Sequence, residues 1–120
     1  MPPPCAVIAV LSGLVLLPAR GEAHAILVNS DPANGASVPA GTVNLSLSYN
    51  SRIDRSRSRL TLVAPDHSQS VLKILLSGPP QLLQSNVQLK VPGAYLVRWQ
   101  VLAIDGHITR GDLPFTVTGP

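Results

Sequence analysis

The sequence is poor in cysteine, methionine and aromatic residues. Its 120 residues include one cysteine, one methionine, one tryptophan, two tyrosines and one phenylalanine. The cysteine and the methionine are Cys5 and Met1, so no later residue can contribute to a disulfide or to a thiolate or thioether metal site. So few aromatic side chains also argue against a protein that stacks on nucleic-acid bases, and we expect no nucleic-acid partner.

An apolar segment near the start is too short to cross a membrane. Residues 6–17 read AVIAVLSGLVLL, which is twelve residues, whereas a helix across the hydrocarbon core needs roughly 20. PARGEA follows, and this order is typical of the hydrophobic and cleavage regions of a secretory signal peptide. We predict that residues 1–23 are a cleaved signal peptide, and that residues 24–120 form an exported domain without stable membrane insertion.

Two cleavage points satisfy the preference for small residues before the cut. Cleavage after Ala23 leaves His24 as the new N-terminus, whereas cleavage after Ala25 removes that histidine. The preference of the protease does not separate the two points, so the choice depends on the rest of the chain.

The exported domain is short and basic. Its 97 residues suffice for one domain with a modest core, and they carry eight Lys and Arg against five Asp and Glu. Four of the arginines lie in RIDRSRSR, residues 52–59. Such a cluster can bind nucleic acid or an anionic membrane surface. In an exported chain with few aromatic residues, we interpret it as a solvated loop between strands.

The spacing of apolar residues predicts an all-β domain. Apolar and polar residues alternate in VNLSLSY (43–49) and in GAYLVRWQVLAI (93–104), as in half-buried strands. Pro- and Gly-rich turn signals separate the runs, and no stretch repeats with helical spacing. We predict a Greek-key β-sandwich or barrel of about seven strands with an immunoglobulin-like architecture. Further strand candidates are RLTLVAP (59–65), SVLKILL (70–76), NVQLKV (86–91) and LPFTVTG (113–119).

Two histidines and an aspartate offer a metal-binding set. Asp105 and His107 flank Gly106, which tolerates the tight backbone that brings their side chains to one side. This triplet alone is a weak signal, because similar triplets are usually solvated turns. An N-terminal histidine is more specific, since its α-amino nitrogen and its Nδ1 atom can close a chelate ring on one metal ion. With His24, the set becomes a histidine brace of nitrogen and carboxylate ligands, which copper(II) and nickel(II) favour.

Three segments resemble the CopC family of periplasmic copper resistance proteins. They are HAILVNSDPANGASV (24–38), LSLSYNSRID (45–54) and YLVRWQVLAIDGHITRGDLPFTV (95–117). The resemblance covers essentially all of residues 24–118. It implies a periplasmic β-sandwich that serves copper resistance and homeostasis, binds one copper(II) ion per chain and is not an enzyme.

The resemblance also implies the copper ligands and a partner. The family binds copper(II) through its N-terminal histidine and its D-x-H pair, which correspond here to His24, Asp105 and His107. Cleavage after Ala23 is then expected, because it leaves His24 with a free α-amino group. The copper ion would be sequestered or passed to an inner-membrane copper transporter of the CopD type.

Two departures from the family limit which ligands the expected copper site can contain. Some members have a glutamate as a further copper(II) ligand at the position where this chain has Ser51. Others have a methionine-rich loop that binds copper(I), and Met1 is the only methionine of this chain. The match is therefore to the copper(II)-only type.

Other candidate residues have simpler explanations. His67 lies in the turn segment APDHS and is interpreted as an exposed turn histidine, and Trp99 is interpreted as a core residue. No Ser or Cys is framed as a nucleophile, and no pair of carboxylates is placed for acid–base chemistry. Two alternatives to a copper-binding protein remain: a histidine-brace oxidative enzyme and a metal-free immunoglobulin-like interaction module.

Overall fold

The computed structural model describes residues 24–119, and the predicted signal peptide lies outside the described residues. Eight strands and one 3₁₀ helix, Arg55–Arg57, make up the regular structure of the described part. That part contains no helix with the length and apolar character needed to span a membrane. The strands are β1 (Leu27–Asp31), β2 (Ser37–Pro39), β3 (Gly41–Tyr49), β4 (Arg59–Val63), β5 (Gln69–Val71), β6 (Leu82–Leu89), β7 (Gly93–Leu102) and β8 (Ile108–Thr118).

The strands form two sheets. The first has the order β1-β3-β6 and the second has the order β2-β8-β7-β4-β5. All neighbouring strands are antiparallel except β2 and β8, which are parallel. The predicted all-β sandwich is confirmed, with eight strands instead of about seven. No strand candidate from the sequence covers β1 or β2, and the three residues of β2 are too few to show an alternating pattern.

Alternating side chains of both sheets build the core, as the sequence pattern predicted. In β3 the buried positions are Leu45, Leu47 and Tyr49, while Asn44 is exposed. The same alternation runs through β7 and β8, because successive side chains of a strand point to opposite faces of the sheet. The buried residues of these two strands are Tyr95, Val97, Trp99, Val101, Leu113, Phe115 and Val117.

The predicted strand at residues 70–76 is wrong beyond Val71, where β5 ends. The backbone N–H of Leu72 donates to the carbonyl of Leu60 in the second sheet, at 2.8 Å. The N–H of Leu75 donates instead to the carbonyl of Gln84 in the first sheet, at 2.9 Å. The segment crosses from one sheet to the other and therefore cannot continue as one strand. Its apolar composition reflects burial during the crossing, since Leu72 and Ile74 pack against the core.

Residues 52–58 of the arginine-rich segment lie between β3 and β4, as predicted, whereas Arg59 begins β4. One arginine holds the loop in place. The Arg55 guanidinium donates to the carbonyl of Leu82 at 3.1 Å and to that of Gly78 at 2.8 Å, and it also contacts the carbonyl of Pro79. Arg55 therefore ties this loop to the segment before β6. The Arg57 side chain is exposed, and its Nε atom lies 3.9 Å from Asp54 Oδ2.

Trp99 is a core residue, and Gly111 makes room for it. The two residues face each other across β7 and β8, and Trp99 is 9% exposed. A Cβ atom built at Gly111 would overlap the indole ring. The absence of a side chain at position 111 therefore allows the largest side chain of the core to lie across β8.

We expect Gly111→Ala to lower the free energy of unfolding by about 1 to 3 kcal/mol, because the added methyl group overpacks the core against Trp99. In a domain of this size, such a change lowers the melting temperature by roughly 4 °C or more. Gly119→Ala is the matched control, since its Cβ would lie 3.6 Å from Pro92 in ordinary van der Waals contact. Equal melting temperatures for the two variants would show that the indole ring can move aside without cost.

Candidate metal centre

A tight turn between β7 and β8 presents Asp105 and His107. The turn is closed by two backbone hydrogen bonds of 2.9 Å, from the Ala103 N–H to the His107 carbonyl and from the Gly106 N–H to the Ala103 carbonyl. Gly106 has a φ of +93°, a left-handed conformation that glycine adopts more easily than other residues. Asp105 and His107 are both exposed, so their polar groups face solvent at one end of the sandwich.

The segment after β3 supports this turn from the side. Ile53 forms an isolated β-bridge with Ala103, and the Asp54 N–H donates to the Leu102 carbonyl at 2.9 Å. The Ile104 N–H in turn donates to the Arg52 carbonyl at 3.1 Å. The turn is therefore joined to the first sheet through the loop that follows β3.

The start of the described chain is fixed beside the same turn. Ala25 is 1% exposed, and its carbonyl accepts a hydrogen bond of 2.9 Å from the Thr109 hydroxyl at the start of β8. The Ile26 N–H donates to Asn50 Oδ1 at 2.8 Å, and the Asn50 N–H donates back to the Ile26 carbonyl at 3.1 Å. These contacts hold the backbone on both sides of Ala25. His24 is consequently placed next to the β7–β8 turn.

The imidazole rings of His24 and His107 lie together. Their centroids are 4.8 Å apart and their planes meet at 88°. An imidazole nitrogen lies about 2 Å from a bound borderline metal ion, so two rings on adjacent positions around one ion have centroids about 4.5 Å apart. The observed centroid separation is close to that value, although the rings meet edge to face.

The Asp105 carboxylate is bound to His107 through both of its oxygens. The His107 Nδ1 atom lies 2.9 Å from Asp105 Oδ2, and the His107 backbone N–H donates to Oδ1 at 3.1 Å. The hydrogen bond with the His107 ring, followed by the one from its backbone, lowers the pKa of Asp105 from its ordinary value. The carboxylate is therefore ionised at neutral pH, and it sets the orientation of the His107 ring.

The three predicted site residues lie at one end of the sandwich, but their side chains do not form a complete metal site. Within residues 24–119, no three side chains of His, Cys, Asp and Glu converge as a group that could hold a metal ion. His24, Asp105 and His107 supply three side chains of these types, but the three do not converge as one group in this structure. Sequence reasoning missed Asn50 and Thr109, which position the chain start, and nothing in their local sequence marks them for that role.

Beneath this end of the sandwich lie buried polar atoms without hydrogen-bond partners among the described residues. They are Tyr49 Oη, Ser51 Oγ and Trp99 Nε1. The Tyr49 and Trp99 rings meet edge to face, with centroids 5.3 Å apart. Burial raises the pKa of the Tyr49 hydroxyl, so the side chain stays neutral at every physiological pH.

His67 lies away from the candidate metal centre. It is exposed in the turn between β4 and β5, with a φ of +72°, and its N–H donates to the Ala64 carbonyl at 2.8 Å. Strand β4 pairs with β7 so that Arg59 faces Gln100 and Val63 faces Leu96. The turn after Val63 is therefore at the end of the sheet opposite His107.

Comparison with known proteins gives one consistent result. The model of the CopC domain family matches residues 27–118. The chain is 29% identical over 110 residues to copper resistance protein C of Pseudomonas syringae pv. tomato, covering 86% of this chain and 87% of that protein. It is also 29% identical over 100 residues to protein YobA of Escherichia coli K12, covering 79% of each chain.

Solved structures show the same fold. CopC from Methylosinus trichosporium OB3b superposes with a TM-score of 0.71 at 23% identity, covering 80% of this chain and 95% of that one. The methionine-rich copper resistance protein PcoC from Escherichia coli gives a TM-score of 0.63 at 24% identity, covering 80% of this chain and 100% of that one.

Proposed function

The chain belongs to the CopC family, and on that premise we propose that the mature protein holds one copper(II) ion at His24, Asp105 and His107. The observation that carries the proposal is the 4.8 Å separation of the His24 and His107 rings. These residues are 83 positions apart in the sequence, and they meet because the start of the domain is bound to the start of β8. The name of the Pseudomonas syringae relative, copper resistance protein C, supports copper as the metal.

The proposed ligand set depends on removal of residues 1–23. In the full chain the backbone nitrogen of His24 is an amide, which does not bind copper(II) readily at neutral pH. Cleavage after Ala23 converts it into an α-amine, which together with the ring Nδ1 atom forms a chelate. The buried Ala25 favours this processing, since a cut after Ala25 would remove a residue that the fold packs in its core.

Asp105 and His107 are proposed to bind copper(II) at the position now taken by the hydrogen between them. The 2.9 Å between His107 Nδ1 and Asp105 Oδ2 is close to the separation of adjacent ligands whose bonds to one metal ion are each about 2 Å. A copper ion can therefore replace the shared hydrogen without a large backbone movement. The His107 ring then carries its hydrogen on Nε2 and stays neutral, and the α-amine of His24, which is mostly protonated at neutral pH, releases a proton when it binds the metal.

The proposed role is to carry copper outside the cytoplasm. The relatives' connection with copper resistance supports a protein that sequesters the ion in the periplasm or passes it to a CopD-type membrane transporter. The exposure of His24 and His107 suits such a transfer, because a partner can approach the ligands directly. We propose binding and transfer rather than catalysis.

We expect the mature protein to bind one equivalent of copper(II) and to release it on reduction. Nitrogen and carboxylate ligands suit the softer copper(I) poorly, and residues 24–120 contain neither cysteine nor methionine. Titration with copper(II), followed by ascorbate and a chromogenic copper(I) chelator, measures both steps. Retention of copper(I) against the chelator would contradict the proposed ligand set, and no uptake of copper(II) would contradict the proposed function.

A further inference from the structure

The outer face of the five-stranded sheet carries a group of arginines that the copper site does not use. Their strands β4, β7 and β8 are neighbours, and the register places the side chains in two rows across them. One row is Arg59, Gln100 and Arg110, and the other is Thr61, Arg98 and Asp112. We call these six residues the arginine face. They line a shallow cavity of about 420 Å³.

The positive charge of the arginine face is only slightly compensated. The Arg98 Nε atom lies 3.7 Å from Asp112 Oδ1, and both side chains are more than half exposed. Exposed ion pairs of this kind are weak and contribute little to the stability of the fold. The Arg110 Nε atom donates to Gln100 Oε1 at 2.7 Å, so its partner is a neutral side chain. Arg59 has no carboxylate partner within the described part of the chain. The face therefore offers three guanidinium groups against one carboxylate.

The spacing of the arginines favours an extended partner over a single small anion. Arg59 and Arg110 stand two strands apart, which is about 10 Å at the usual strand spacing, and Gln100 lies between them. One phosphate-sized ion can contact both guanidinium groups only if the Arg59 and Arg110 side chains bend towards each other across Gln100. Carboxylates along an extended chain recur every few ångströms, so an acidic segment can meet all three guanidinium groups, each as a charge-assisted pair.

We propose that the arginine face binds an acidic segment of a partner protein. Charge complementarity defines the occupant, and the shortage of aromatic residues makes nucleic acid a poor alternative. Arg110 lies in β8, three residues after His107 in the turn that precedes this strand, so a partner docked on this face lies beside the candidate metal centre. The proposal does not require that the centre bind copper, because the arginine face shares none of its residues.

The test uses a fluorescein-labelled octaglutamate peptide and the mature protein. Fluorescence anisotropy at low ionic strength measures the affinity, and amide chemical shifts in the ¹⁵N-labelled protein locate the contact. We expect shifts at Thr61, Gln100 and Asp112, and an affinity that falls as salt is added. The triple variant Arg59→Gln, Arg98→Gln, Arg110→Gln should weaken binding by at least about tenfold.

A second triple variant controls for net charge. Arg52→Gln, Arg57→Gln, Lys90→Gln removes the same number of positive charges from exposed positions outside the arginine face. When both triple variants are compared at about 0.1 M ionic strength, this one should retain the affinity within about twofold, because charges beyond the Debye length of about 10 Å are then screened. Equal losses for the two triple variants would overturn the proposal, because binding would then follow overall charge. The single variant Arg59→Gln, which breaks no ion pair, repeats the test if the first triple variant folds poorly.

Competing anions separate the proposed partner from other sources of negative charge. Inorganic phosphate at the concentration of the peptide carboxylates should not displace the peptide, and vesicles containing phosphatidylglycerol should not reproduce its pattern of shifts. Displacement by phosphate, or the same shifts with vesicles, would identify the arginine face as an ion or lipid surface and overturn the proposal. The absence of any peptide binding at low salt would overturn it as well.

Discussion

One extra residue ahead of His24 is expected to weaken copper(II) binding by at least about 10- to 100-fold, roughly 1.4 to 3 kcal/mol. The extension leaves the His24 and His107 side chains in place but converts the α-amine into an amide, which removes one ligand and opens the chelate ring. Proteins beginning at His24 and at an added glycine can be compared by titration against a competing chelator of known affinity.

The matched control for this comparison is an added glycine at the C-terminus, which lengthens the chain equally without altering the amine. Electron paramagnetic resonance adds a second readout, because losing a nitrogen ligand changes the spectrum of bound copper(II). If the N-terminally extended protein gave the same affinity and the same spectrum as the processed one, the α-amine would not be a ligand.

Replacing His107 by asparagine is expected to reduce the copper(II) affinity on the same scale, at least about tenfold. The change removes the imidazole that lies beside His24 and the hydrogen bond that orients it through Asp105. His107 is exposed, so the stability of the fold should change by no more than about 0.5 kcal/mol. The same chelator competition measures the loss, and thermal unfolding checks the fold.

His67→Asn is the matched control for His107→Asn. Both histidines are exposed, but His67 lies at the opposite end of the sheet, and asparagine tolerates its φ of +72°. This variant should bind copper(II) as the unaltered protein does. Similar losses in both variants would mean that copper attaches to surface histidines without a defined site.

The fold could be predicted from the sequence wherever a strand was long enough to alternate. Strands β3 and β7, of nine and ten residues, show the period of two directly, and their buried positions follow it. The sequence did not reveal β2, which has three residues and is held by pairing with β8 rather than by an apolar pattern. It also misrepresented the segment after Val71, because burial during a crossing between sheets produces the same apolar composition as a strand.

The candidate site could be predicted only in part, for a related reason. The proximity of Asp105 and His107 follows from two residues of separation and the glycine between them. The approach of His24 depends on contacts from distant parts of the chain, namely the hydrogen bonds made by Asn50 and Thr109. Such long-range contacts leave no local sequence pattern, so the inclusion of His24 in the site with Asp105 and His107 was supported by the resemblance to the CopC family. The arginine face was missed because Arg98 and Arg110 are isolated in the sequence, while Arg59 belongs to the cluster at 52–59 that was interpreted as a loop.

Native mass spectrometry of the exported protein, recovered from the periplasm after exposure to copper, tests the central claim most directly, since a single spectrum gives the first residue and the bound metal. We predict a chain that begins at His24 and carries one copper ion. A chain that begins at Ile26 and still carries one copper ion would contradict the account, because it would lack the histidine on which the proposed site depends.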